Sequence, residues 1–420
     1  MSTAPAPSTA AAFDLAAGFR AAAVACGLRS GDGHDLTLIA SDRAASAAGV
    51  FTTNRVQAAP VLYDREVLAR DPAAIRAVIA NAGCANACTG EPGMAATRRT
   101  AALVAAAIGC TPEQVLVLST GVIGRALDMA KVERGIAALA AAQATRDGVA
   151  AGGLGAERGG AAAARAIMTT DTRPKTAAED VTIDGRTIAI RGMAKGAGMI
   201  HPHMATMLSV LTTDAAIAPG ALQTALAAAV KRSFNRVSVD GDMSTNDTVL
   251  LLASGASGVT PAGAALESFT AALTRVSTSL ARQIARDGEG ATRLVTIAVT
   301  GARDETEAHT VADSIARSPL VKTAIHGGDP NWGRVLCAAG YSGAAIDPQR
   351  LSLAFGEGPR AIMLVKAGLP LAFDAAAASA LLELDPVIIR LDLGLGAAEA
   401  TVWTCDLSAE YVAINAHYTT

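Results

Sequence analysis

Residues 195–207 read Lys-Gly-Ala-Gly-Met-Ile-His-Pro-His-Met-Ala-Thr-Met. Gly196, Gly198 and Pro202 break any regular element, yet the stretch is apolar enough to be buried. A buried irregular segment usually serves a function. Ala205 is small, so the Thr206 hydroxyl can reach the Ala205 carbonyl with little hindrance. The chain then runs Met-Leu-Ser-Val-Leu-Thr-Thr-Asp, a strand-like stretch able to anchor a new N-terminus. The competing reading is a tight loop joining two strands. Further upstream, Thr120-Gly121 follows the apolar run Val115–Leu118. It can offer a hydroxyl and a backbone N–H to a developing oxyanion, or be an ordinary strand-ending turn. Asp240-Gly241-Asp242 with Asn246-Asp247 resembles a calcium loop in composition but lacks the full ligand ladder and closing Glu, so a hydrogen-bonded turn is expected and no metal is assigned. Asp329-Pro330-Asn331-Trp332-Gly333 reads as turn punctuation.

The elements that must hold these residues mix strands and helices without a clean βαβ repeat. Residues 36–52 read as strand, turn, strand, and 76–82 as a short strand ending in a Gly/Asn-rich loop. A helix is predicted over 94–108, a buried strand over 115–118, and Ala-rich helix over 131–166, interrupted by a mobile surface insertion at 151–160. Alternating residues around Asp184-Gly185 predict a hairpin over 180–192. Amphipathic helices are expected at 220–232 and 263–286, and strands at 248–253 and 294–300. This is a layered α/β arrangement of mixed α+β character. No GxGxxG or P-loop pattern points to a nucleotide.

Composition narrows the function classes. The 420 residues carry a net charge of −3, are 51% hydrophobic and only 3% aromatic. No long Lys/Arg run occurs, so a small molecule is expected as ligand and nucleic acid is not. No apolar run reaches the ~18 residues of a membrane span, and the first 27 residues lack a secretory pattern. A cytoplasmic protein is expected, with residues 1–12 a loose tail. The six cysteines suggest no disulfide framework, and no histidine near Cys84 and Cys88 completes a zinc set.

The segment KGAGMIHPHMATMLSVLTTDA resembles the autocleavage segment of the ornithine acetyltransferases, the bifunctional glutamate N-acetyltransferases of arginine biosynthesis. The resemblance continues in order through GVFTTNRVQAAPV, NACTGEPG, STGVIG, IMTTDTRPK, VDGDMSTNDTVLL, DGEGATRL, GGDPNWGRVL and the tail YVAINAHYTT. It covers essentially the whole chain beyond the tail. Cys84 and Met243 depart from the family's usual residues.

The resemblance implies a layered fold loosely similar to the N-terminal-nucleophile hydrolases. It also implies self-cleavage between Ala205 and Thr206, giving an α chain (13–205 after the tail) and a β chain (206–420) that pair into a heterotetramer. Thr206 would act twice: first its hydroxyl attacks the Ala205 carbonyl, then the freed α-amine, with an ordinary pKa of ~8, serves as base for the same hydroxyl. His201 and His203 are read as loop residues. Thr120 and Gly121 would form the oxyanion hole. Lys195 would face a substrate carboxylate and Glu289 an ammonium. Thr169, Asn415 and Thr420 match binding positions of the family, with Thr170 and Thr172 close enough to leave the register open. The tail is expected to dock as a short strand around Val412 and Ile414.

The implied reaction moves acetyl from N-acetyl-L-ornithine to L-glutamate by a ping-pong route without a cofactor. Some family members also accept acetyl-CoA, and the sequence leaves that open. Two other readings compete: an N-terminal-nucleophile amidase or aminopeptidase, with water as acceptor, and a small-ligand-binding protein in which 195–207 is merely a loop.

Overall fold

The computed structural model describes residues 13–144, 155–183, 185–201 and 207–417. The tail expected over 1–12, the Ala205–Thr206 junction and Thr420 lie outside them.

Among the described residues, nine strands make one sheet: β1 (Phe19–Val24), β2 (Leu36–Phe51), β3 (Ile75–Cys84), β4 (Val115–Val122), β5 (Ala156–Arg158), β6 (Lys175–Ile183), β7 (Arg186–Lys195), β8 (Leu208–Thr213) and β9 (Thr248–Ala253). The order is β4-β3-β2-β9-β8-β7-β6, with β1 pairing both β2 and β5. β3–β4 and β8–β9 are parallel pairs. Residues 36–52, expected as two strands, are the single strand β2. Its first half pairs with β1 and β3 and its second half with β9, and the register shifts between Ala40 and Ala45. Asp42-Arg43 thus mark a change of partner along one strand, not a turn. The insertion expected at 151–160 is likewise corrected in its second half. Ala156–Arg158 pairs with Ala22–Val24, and the helix Gly160–Ala166 follows.

β8 and β9 are buried along their whole length. Leu208, Val210, Leu250 and Leu252 face one core, with Leu38, Ile79 and Leu116. Leu211, Val249 and Leu251 face the other. Burial on both faces explains the unbroken apolar run Val249–Ala253, which shows no alternation. The second core is closed by the helices Pro219–Arg232 and Ala264–Arg286. The longer one buries Phe269, Leu273, Val276, Leu280 and Ile284, a stripe at three- and four-residue spacing.

A second sheet, six strands among the described residues, is built from β10 (Leu294–Ala302), β11 (Ser352–Phe355), β12 (Ile362–Lys366), β13 (Leu369–Pro370), β14 (Val387–Asp392) and β15 (Ala398–Cys405), in the order β13-β12-β11-β14-β10-β15. It has its own core around Ile297, Val311, Leu353 and Ile389. Asn331 does more than punctuate a turn: its side chain accepts from the Arg334 N–H and caps the helix Trp332–Gly340. No helix among the described residues is long and apolar enough to cross a membrane.

Candidate active site

The site lies where strand ends and loops of the nine-stranded sheet meet the chain's last helix. Thr120 and Gly121 close β4 beside Ala82 and Gly83 of β3. At Gly121 φ is +131°, and a Cβ there would stand 2.4 Å from the Gly83 carbonyl carbon, so only glycine fits. Asn246 holds this corner from the loop before β9. Its amide nitrogen donates to the Ala85 carbonyl at 2.6 Å and the Ser119 carbonyl at 2.8 Å.

Lys195 ends β7 and is only 2% exposed. Burial pushes its ammonium below the ordinary lysine pKa, with Lys175 adding to the effect, while Asp171, Glu289 and Asp247 pull the other way. Beyond it Gly196 donates its N–H to Asp171 at 2.7 Å. Asp171 also accepts from the Thr169 N–H at 3.0 Å and from Lys175 at 2.5 Å. Lys175 reaches Asp287 at 2.6 Å, and Asp287 in turn accepts from the Thr172 N–H at 3.1 Å and from the Thr172 hydroxyl. One buried ion triad therefore positions the Thr169 loop and the exit of β7 together. It also separates the threonines: Thr169 and Thr170 line the cleft, while Thr172 is tied to Asp287.

The described residues flanking 202–206 are firmly held. Asp240 accepts from Met199 N–H at 2.6 Å and Ile200 N–H at 2.9 Å. Met199 has φ +55°, a costly backbone for a non-glycine residue, which those bonds offset. On the other side the Met207 N–H donates to Asp247 at 3.0 Å, and its carbonyl accepts from Thr248 N–H at 3.1 Å. Asp247 is wholly buried, and burial raises its carboxyl well above the usual range.

Glu289 enters between these parts. Its N–H donates to the Ala197 carbonyl at 2.8 Å, and a Cβ on Gly198 would meet its carboxylate at 2.4 Å. Asn415 donates to its Oε2 at 2.9 Å. The tail is not the strand expected around Val412 and Ile414 but the helix Ala409–Ala416. Helical spacing puts Tyr411 and Asn415 on one face, where they contact Asp240 at 3.4 Å and Glu289. Those two anchors decide the conformation, whereas Val412 is 64% exposed and contributes little packing.

Thr120, Gly121, Thr169, Lys195, Glu289 and Asn415 thus line one cleft, open at its mouth, with about 110 Å³ of interior space. Thr206, Ala205, His203 and Thr420 are outside the described residues. His201 lies 3.4 Å from the Ser238 hydroxyl. Among the described residues no cluster of three or more His, Cys, Asp or Glu could hold a metal. Ser244 and Asn246 also line the cleft. Sequence reasoning had placed Asn246 in a structural turn, and only its proximity to the Asp-rich motif hinted at more.

The model of the ArgJ family matches residues 20–420. The chain belongs to the ArgJ family. It is an enzyme, an acetyltransferase of arginine biosynthesis. The arginine biosynthesis bifunctional protein ArgJ of Thermosynechococcus vestitus is 48% identical over 424 residues, covering 96% of this chain and 97% of that one. The protein of the same name from Symbiobacterium thermophilum is 48% identical over 410 residues, with the same coverage. The crystal structure of the arginine biosynthesis bifunctional protein from Bacillus halodurans is 47% identical, with a TM-score of 0.48. It covers 51% of this chain and 100% of its own.

Proposed function

We propose that this ArgJ-family enzyme transfers acetyl from N-acetyl-L-ornithine to L-glutamate through an acetyl ester on Thr206, after cutting itself between Ala205 and Thr206. The observation that carries the reading is a cleft with a buried ammonium, Lys195, and a carboxylate, Glu289, in one lining. Both charges of an α-amino acid find opposite partners there. In the first half-reaction the Thr206 α-amine takes the hydroxyl proton and the oxygen attacks the acetyl carbonyl. The Thr120 hydroxyl and the Gly121 N–H stabilise the oxyanion. The proton passes to the departing ornithine amine. Glutamate then enters the same cleft, and its amine takes the acetyl group from Thr206. No cofactor is required. The two fragments stay together as a cytoplasmic heterotetramer of two α and two β chains.

The test is to incubate the purified enzyme with N-acetylornithine alone and then with glutamate. Mass spectrometry of the 206–420 fragment should show acetylation in the first case and its loss in the second, with N-acetylglutamate formed. Release of acetate without N-acetylglutamate would replace this reading with an amidase.

A further inference from the structure

Asp247, the residue before β9, is a buried carboxyl that the proposed reaction leaves without a task. None of its surface reaches solvent. Its Oδ1 accepts the Met207 N–H at 3.0 Å, and its Oδ2 has no hydrogen-bond partner among the described residues. Other buried carboxylates are better supplied. Asp35 accepts the backbone N–H groups of Cys26, Gly27, Leu28 and Arg29, and Asp240 those of Met199, Ile200 and Asp242. The Thr52 hydroxyl stands beside Asp247. Its single proton goes to the Ser244 carbonyl at 2.8 Å, and its oxygen accepts from the Asn54 N–H at 3.1 Å. Thr52 therefore has a lone pair left to offer and no donor. The cation facing Asp247 is Lys195, whose charge is shared with Asp171 and Glu289 and opposed by Lys175. One N–H for two oxygens stabilises an anion poorly in a dry interior, and burial raises the Asp247 carboxyl accordingly.

We propose that Asp247 is a positioning residue that works as a neutral carboxylic acid: it fixes the N–H in front of β8 without setting a negative charge beside the base. The inference rests on the acetyl-Thr206 reading and deepens it. Three bonds separate the Met207 nitrogen from the Thr206 nitrogen, so the α-amine is at most about 7 Å from the Asp247 Oδ1. An anion at that distance would raise the proton affinity of the amine by about one to two pH units at the effective dielectric of a protein site. The free base present at neutral pH would fall by about 10–10²-fold. A neutral Asp247 avoids that loss. It also leaves the Lys195 ammonium to the substrate carboxylate.

The experiment compares wild type with Asp247→Ala and Asp247→Asn in transfer from N-acetylornithine, after a denaturing gel has confirmed cleavage and a thermal midpoint has confirmed folding. Asp247→Ala should lower kcat by about 10–10²-fold with KM little altered, because the nucleophile loses its anchor while Lys195 and Glu289 still hold the substrate. Asp247→Asn keeps an acceptor and carries no charge, so it should recover most of kcat. The acid limb of kcat/KM should stand at the same pH in Asp247→Asn and wild type. The infrared difference between those two proteins at neutral pH should contain the C=O band of a protonated carboxylic acid, present in wild type only. Should Asp247→Ala fail to fold, the limb and the band decide alone. A limb moved down by about one to two pH units in Asp247→Asn, or the absence of the acid band, would show an ionised Asp247 and overturn the assignment. Wild-type kcat in Asp247→Ala would overturn the positioning role. A wild type that forms no acetyl ester on Thr206 would instead remove the acetyl-Thr206 reading, and the inference with it.

Discussion

Lys175 and Asp287 stand 2.6 Å apart with solvent excluded, and they come from opposite sides of the Ala205–Thr206 bond. Asp171 completes the triad at 2.5 Å from the same ammonium. Replacing Lys175 with Met would leave two buried carboxylates facing one another without their cation. The expected cost is about 3–5 kcal/mol, read as a lower denaturation midpoint. Burial opposes ionisation of Asp171, but Lys175, Lys195 and the Gly196 N–H outweigh it and hold its pKa below the ordinary value of 3.8. Its stabilisation is therefore full above that ordinary value and is lost as pH falls through the lowered one. Acid unfolding of Lys175→Met should begin at higher pH than in wild type. An unchanged midpoint and acid limb would show that the triad contributes nothing net.

Self-processing has a direct readout. Purified protein should run as two chains on a denaturing gel, with the second fragment beginning Thr-Met-Leu-Ser. Thr206→Ala should stay intact. High transferase activity in an uncut chain would contradict the mechanism, since an acylated Thr206 nitrogen cannot act as base.

Thr120→Ala removes one oxyanion donor and should lower kcat by about 10²–10³ with KM little altered. Asn246 and Gly121 set the backbone of this corner, so the substitution should leave it in place. A fully cleaved variant with near-normal kcat would reduce Thr120 to a turn residue.

The charges of the cleft predict both a magnitude and a pH limb. Lys195→Met and Glu289→Gln should each cost about 2–5 kcal/mol in kcat/KM for N-acetylornithine, once cleavage has been checked. Lys195 must be cationic to hold a carboxylate, and burial lowers its pKa from 10.5. The kcat/KM should therefore fall with rising pH before an ordinary lysine would lose its proton. In Lys195→Arg, where the charge persists, that fall should move to higher pH or vanish. An alkaline limb identical in the two proteins would assign it to another group.

The tail offers a separable effect. Deleting residues 416–420 should leave self-cleavage intact, since that step needs no substrate, and should sharply reduce transfer to glutamate. Asn415→Ala should do the same through loss of its contact with Glu289. Unchanged kinetics in both would make the last helix ordinary packing.

What could be read in advance depended on whether a residue's role was local. The stripe from Phe269 to Ile284 and the unbroken run in β9 are written in neighbouring residues, and both elements were legible. The hairpin of β6 and β7 was too, although Asp184 lies outside the described residues. β2 was not, because the event at Asp42 is an exchange of partners far away in sequence. The tail misled because Val and Ile favour strands, while Tyr411 and Asn415 are bound by Asp240 and Glu289 more than a hundred residues earlier. Family motifs located the cleft's principal side chains. Nothing in the spacing of Asp171 or Asp240 announced that each would collect backbone N–H groups from another loop. That required the folded chain.

The placement of β8 bears on when the proposed self-cleavage could occur. β8 sits in the interior of the sheet, antiparallel to β7 and parallel to β9, and β9 in turn joins it to β2. Met207, next to the bond proposed to be cut, is held by Asp247 and Thr248. A nascent chain that has just exposed residues 195–207 has β7 but lacks β9, Asp247 and Glu289. The bond is then already translated, while β9, Asp247 and Glu289 are not. Under the proposed self-cleavage, the cut would follow release of the segment through β9 from the ribosome, so that each half would be completed by the other before the covalent link between them is lost.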